Sequence, residues 1–120
     1  MALVIIAYET RLRTQALAAA SPQDVVRLMN HNALLLDIRA PELFAAGHLA
    51  GARHVTPEQL TKAADSFKKY KDKPIVLYCE SGALAASAAR SFLSQGFTQV
   101  CSLRGGVAAW RSDNLPLTKG

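Results

Sequence analysis

The sequence predicts an α/β fold, one domain built on a central parallel sheet with helices on both faces. Short, nearly unbroken apolar runs are the first sign: ALLLDI from Ala33 to Ile38 and IVLY from Ile75 to Tyr78 have the length and composition of strands buried on both sides. Segments with helix-start signals and helical apolar spacing alternate with these runs, the order that a parallel sheet with crossover helices requires. Finally, 120 residues, half of them hydrophobic and 19% charged, form one core and leave little room for a second domain.

Residues 1–9, MALVIIAYE, are apolar and are followed by Arg11 and Arg13. A signal peptide carries its positive charge before the apolar stretch, so the order here is the wrong one. An apolar body, then Tyr8, then arginines is the order at the cytoplasmic exit of a membrane helix. A strand or helix packed on the domain fits the same residues, and both readings stay open. The run alone is far short of the roughly 20 residues of a membrane span. Residues 10–20, TRLRTQALAAA, read as an Ala-rich helical connector. The expected organisation is therefore an apolar and basic segment at 1–20, a remnant of a membrane anchor or a connector, ahead of a domain at 21–120. Its expected location is the cytoplasm, tethered to the membrane in a longer form if the anchor reading holds.

Ser21-Pro22 starts the first helix of the domain, with Ser as N-cap, Pro at the first helical position and Asp24 in the first turn. Val25, Val26, Leu28 and Met29 give it an apolar face. The strand from Ala33 to Ile38 follows, then a short helix PELFAA that stops at Gly47. A second short strand covers Ala52 to Val55. Thr56-Pro57-Glu58 caps a further helix, whose face is Leu60, Ala63, Ala64 and Phe67. Lys71 to Pro74 form a turn into the strand Ile75 to Tyr78. A helix of small residues runs from about Ala83 to Gln95 and ends at Gly96. Gln99 to Leu103 is the next strand; Arg104-Gly105-Gly106 turns into the short helix VAAWRS, and Asn114-Leu115-Pro116 closes the fold.

Fourteen Lys and Arg against nine Asp and Glu give a formal charge of +5, which suits anionic partners. The basic residues are spread along the chain with no aromatic stripe, which argues against nucleic acid. Two cysteines, Cys79 and Cys101, are too few for a disulfide scaffold, and no Cys/His spacing suits zinc.

Cys79 is the most informative residue, because it sits where a strand becomes a helix. In an open parallel sheet, ligands bind beyond the carboxyl ends of the strands. Glu80, Ser81, Gly82, Ala83 and Leu84 follow, small or flexible enough to wrap a loop around a sulfur with N–H groups turned inward. Such a nest, with the positive end of the next helix, stabilises an anion such as a thiolate. The competing reading is a buried structural cysteine.

Three segments together resemble the rhodanese family. LLLDIRAPELFAAGHLAGARHV is similar to its signature, through Asp37, Arg39, Glu42, Phe44, Gly47-His48 and Gly51-Ala52. VLYCESGALAASAA resembles its active-site loop, and LRGGVAAW followed by NLPL the end of its single-domain members. The resemblance covers residues 20–118. It implies a five-stranded parallel sheet and a sulfurtransferase in which Cys79 takes sulfur from thiosulfate or a persulfide. The sulfur then passes to cyanide, a thiol or a carrier protein by way of a covalent persulfide. No metal or organic cofactor is implied. Family loops commonly place Arg and Ser where this chain has Leu84 and Ala85, so a substrate-gripping guanidinium is missing. Arg39 and Arg104 follow strand ends and are candidates for the pocket rim, or structural arginines paired with Asp37 or Glu42. Two further readings follow: a low-activity carrier or protein-binding module, favoured by Leu84, and a phosphatase or arsenate reductase of related fold, which needs Arg where Ala85 stands.

Asp37 is expected to tie loops together and His48 to bond backbone near the bend. His31 and His54 are expected on the surface or in turns, Cys101 as a core thiol, and Trp110 as a packing anchor. Glu80 and Ser81 are expected at the pocket mouth, where Glu80 would repel anions.

Overall fold

A computed structural model describes residues 19–119. The strands are β1 (Ala19–Ala20), β2 (Leu34–Asp37), β3 (Arg53–His54), β4 (Ile75–Tyr78) and β5 (Val100–Leu103). Around them pack α1 (Pro22–Met29), α2 (Pro41–Ala46), α3 (Pro57–Thr61), α4 (Ala63–Ser66), α5 (Ala83–Ser94) and α6 (Gly106–Ser112). The sheet order is β1-β5-β4-β2-β3, and every pairing is parallel. Asp37 lies opposite Tyr78 in register, so β2 and β4 end side by side.

All four residues of β2, β4 and β5 are buried, as continuous apolar runs require. Alternation divides them between two cores. Leu34, Leu36, Ile75, Leu77 and Val100 face Ala63, Phe67, Ala89 and Phe92 on one side. Leu35, Val76, Tyr78, Cys101 and Leu103 face Val25, Val107 and Trp110 on the other. The predicted caps form: Ser21 Oγ accepts from Asp24 N–H, and Thr56 with Gln59 makes a reciprocal capping box.

The structure corrects the sequence reading in three places. Ala19 and Ala20, assigned above to a helical connector, form the edge strand β1. They pair with Ser102 and Leu103, and Arg104 N–H donates to the Ala20 carbonyl at 2.7 Å. Pairing to a buried neighbour overrides the helix propensity of alanine. The remainder of the N-terminal segment, including MALVIIAYE and the anchor reading attached to it, lies outside the described residues. Among those that are described, no helix is long and apolar enough to cross a membrane.

The helix expected from Thr56 to Phe67 is broken at Lys62. Ala64 N–H donates to the Gln95 side chain (3.1 Å) in place of a carbonyl one turn back, and an inserted side chain of this kind kinks a helix. Lastly, His54 is a half-buried residue of β3, and its Nε2 donates to the Arg39 carbonyl at 2.7 Å.

Candidate active site

The chain leaves β2 toward β3 on one side and leaves β4 toward β5 on the other. The crevice between the carboxyl ends of β2 and β4 is thus the point where connections diverge, the usual ligand position in an open parallel sheet. Cys79 stands there, one residue past the central strand.

Gly82 turns the chain with φ +103°, a left-handed conformation that glycine adopts without strain, and α5 begins at the next residue. The turn aims two amides at the sulfur. Gly82 N–H donates to Cys79 Sγ at 3.0 Å and Ala85 N–H at 3.4 Å. Cys79 is only 3% exposed, so these donors act on Sγ where water screens little.

The loop is held from beneath by the start of α6. Val107 N–H donates to the Cys79 carbonyl (3.0 Å) and Ala108 N–H to the Glu80 carbonyl (3.1 Å). Backbone comes so close here that a Cβ on Gly106 would lie 2.4 Å from the Cys79 oxygen and 2.5 Å from the Glu80 oxygen. Gly106 also has φ +61°.

Asp37 and Arg39 form a buried pair beside this loop. Arg39 Nη2 donates to Asp37 Oδ2 at 2.7 Å and to the Gly47 carbonyl at 2.6 Å, and Nε reaches both carboxylate oxygens at 3.1 Å. Burial lowers the Arg39 pKa, but the hydrogen bonds and charge of Asp37 outweigh this, and the net shift is upward. Burial and then the charge of Asp37 push the Tyr78 phenol well above its usual range; its oxygen accepts from Leu49 N–H at 3.1 Å. Asp37 therefore ties loops together, and His48 bonds backbone near the bend, its Nδ1 donating to the Phe44 carbonyl at 2.8 Å, both as expected.

Of the loop expected over 79–84, Cys79 to Gly82 form the loop, and Ala83 and Leu84 are the first residues of α5. Of the two alternatives left open for Arg39 and Arg104, Arg39 takes the structural one, paired with Asp37. Arg39 has a side chain only 2% exposed and committed to Asp37, so it is no open rim cation. Arg104 is drawn to the sheet edge, its guanidinium 3.4 Å from the Ala19 carbonyl. Glu80 is corrected. Its carboxylate binds Arg111 at 2.9 Å and lies 3.6 Å from Arg39 Nη1, so paired cations offset the charge expected to repel anions. Sequence reasoning missed Arg111, which is 31 positions away and carried no signal, and the support from Gly106, which the Gly105-Gly106 pair before a helix could have suggested.

Cys101 is the other thiol, and burial pushes it up to about 12. Thiols react as thiolates. Iodoacetamide at pH 8 should therefore label the folded chain once, on Cys79, with Cys101 modified only after denaturation; peptide mass mapping reads both outcomes.

A cysteine at the divergence point of a parallel sheet, bonded by two backbone amides and braced by a glycine-led helix, defines the class. The chain belongs to the rhodanese-like domain family, whose profile matches residues 21–113. It is 40% identical over 95 residues to the thiosulfate sulfurtransferase GlpE of Pseudomonas aeruginosa, spanning 77% of this chain and 82% of that protein. To the uncharacterized protein YibN of Escherichia coli K12 it is 34% identical over 99 residues, or 81% of this chain and 69% of that one. Among solved structures, the rhodanese-like domain of the Anabaena protein Alr3790 matches with a TM-score of 0.72 at 25% identity, over 85% of this chain and 79% of the other.

Proposed function

We propose that the chain is a sulfurtransferase that carries sulfane sulfur as a persulfide on Cys79. The observation that carries this reading is the pair of N–H donors focused on Sγ at the divergence point of the sheet. The 40% identity to a thiosulfate sulfurtransferase supports the reaction class.

With thiosulfate, the Cys79 thiolate attacks the outer sulfur. The new S–S bond forms as the bond to the sulfonate sulfur breaks, and sulfite leaves with the electron pair. The persulfide then gives its outer sulfur to a thiophilic acceptor, a small thiol or a thiol on a carrier protein, and the Cys79 thiolate is regenerated. Loop amides hold the negative charge in both halves at no cost of reorganisation. The chemistry needs a reduced thiol, which suits the cytoplasm. Mass spectrometry tests the intermediate: incubation with a donor should add about 32 Da, one sulfur atom, to the peptide holding Cys79, and a reducing thiol should remove it. Absence of the adduct with every donor class would end the reading.

Leu84 refines the choice of donor. It is 70% exposed on the first turn of α5, where family loops commonly carry arginine. Thiosulfate bears two charges, and each charge-assisted hydrogen bond from a guanidinium contributes about 1.5–3 kcal/mol. Turnover of thiosulfate is expected to be weak and less-charged persulfide donors to be preferred. Leu84→Arg should raise kcat/KM for thiosulfate roughly ten- to a hundredfold, equivalent to about 1.4–2.8 kcal/mol, and change that for a neutral donor much less. If the parent already turns thiosulfate over rapidly, the amides alone suffice and Leu84 is no lost clamp. The same exposed leucine favours a second reading, a carrier module that holds sulfur for a protein partner and turns over slowly.

A further inference from the structure

Leu43 and Leu84 are the large hydrophobic side chains left exposed among the described residues. Leu84 differs from Leu43 in its surroundings. It forms one wall of a groove of about 370 Å³, within the roughly 300–1,000 Å³ typical of small-molecule sites. Ile38, Pro57, Leu60 and Ala88 supply further apolar surface, the other lining residues are Ser and Thr, and none carries a charge.

Its position connects this groove to the reactive sulfur. Ile38 follows the end of β2, and its N–H donates to the Tyr78 carbonyl at 3.0 Å, one residue before Cys79. Leu84 precedes Ala85, whose N–H binds Sγ. Ile38 on one wall thus follows one of the strand ends that flank the crevice, and Leu84 on the other stands at the start of the helix that follows the second, so one end of the groove lies beside the crevice. A bare sulfur oxyanion gains nothing from an uncharged apolar trough and would have to shed water to enter it. An organic substituent on the sulfur gains from burial there.

We propose that this groove binds the apolar arm of an organic sulfane-sulfur donor, R–S–SH or a thiosulfonate, while its terminal sulfur reaches Cys79. The inference rests on the sulfurtransferase reading and names the donor class for it. In the transfer, the Cys79 thiolate attacks the terminal sulfur of R–S–SH and forms a new S–S bond. The old S–S bond breaks, R–S⁻ leaves with its electron pair, and the proton stays with the transferred sulfur. No outside oxidant or reductant enters.

Two monoanionic donors that differ in the arm alone provide the test: methanethiosulfonate and benzenethiosulfonate. In each, Cys79 takes the terminal sulfur and the sulfinate leaves. The ratio of kcat/KM, benzene over methane, is divided by the same ratio for reaction with a small free thiol, which removes the difference in leaving group. One methylene in an apolar pocket is worth about tenfold or more, so the corrected ratio should be at least about ten. Leu60→Ser opens one wall, and Ser87→Glu puts a charge on an exposed position of the other without touching the core. Either substitution should bring the corrected ratio to within about twofold of one, beside the roughly tenfold expected of an intact pocket. A corrected ratio near one in the parent, or one that both variants leave unchanged, overturns the groove as the arm site while the sulfurtransferase reading stands. Failure of both donors, of thiosulfate and of an organic persulfide to load Cys79 overturns both.

Discussion

Cys79→Ser is expected to fold as the parent does and to form no persulfide, with sulfur transfer lower by at least about a thousandfold, or about 4 kcal/mol in the barrier. The hydroxyl can still accept from Gly82 and Ala85 N–H, so the loop keeps its bonds and the helix start its geometry. What is lost is the nucleophile, since a serine hydroxyl needs an activating base. Among the described residues no imidazole is hydrogen-bonded to Sγ, whose partners are the Gly82 and Ala85 amides. Cys101→Ser gives the contrast. It places a hydroxyl in the core beneath the sheet, which costs stability, yet each folded molecule should transfer sulfur at close to the parental rate. Both variants are compared by persulfide mass and by melting midpoint. Transfer that survives Cys79→Ser and disappears with Cys101→Ser would move the chemistry to the wrong side of the sheet and refute the site.

Much of this architecture was legible in the sequence because it depends on local rules. Apolar runs of strand length became β2, β4 and β5, and Ser21, Thr56 and the prolines after them marked two helix starts. Cys79 stood out because a strand, a small-residue loop and a helix follow one another without a gap. What escaped the reading was set by contacts distant in sequence. Two alanines carry no strand signal, and β1 exists because β5 offers them an edge. The break at Lys62 depends on the side chain of Gln95, 31 residues after the amide it captures. Arg39 was legible as a cation near the loop, at the pocket rim or paired with Asp37; which of the two holds, and the bond to the Gly47 carbonyl, follows from burial, which sequence does not display. The charge of Glu80 was misread for the same reason, because Arg111 reaches it from the last helix.

The second large effect is expected at Gly106, which touches no substrate and positions the residues that do. A Cβ at this residue would lie 2.4–2.6 Å from the Cys79 oxygen and the Glu80 carbonyl, and neither is a flexible side-chain end that can swing away. Gly106→Ala must shift α6 or the loop, and it forces alanine into a left-handed φ of +61° at about 1–2 kcal/mol. Strain and weakened bonds from Val107 and Ala108 together should destabilise the domain by about 2–4 kcal/mol. Turning the Cys79 and Glu80 peptides also moves the amides that follow, which are those aimed at Sγ. Misplacement by about 1 Å can cost a hundredfold in rate. Gly106→Ala is thus expected to lose ten- to a hundredfold in kcat/KM, measured well below its melting midpoint, and to slow alkylation of Cys79. Gly96→Ala separates positioning from stability. It too forces a left-handed φ, +99°, but its Cβ meets the flexible end of Lys71, beyond the far end of α5 from Cys79. It should lower the melting midpoint while leaving transfer and alkylation near parental values. Parental activity in Gly106→Ala, with a drop in stability like that of Gly96→Ala, would reduce the α6 contact to scaffolding. A loss confined to Gly106→Ala ties the geometry of the sulfur cradle to backbone contributed by the last helix of the chain.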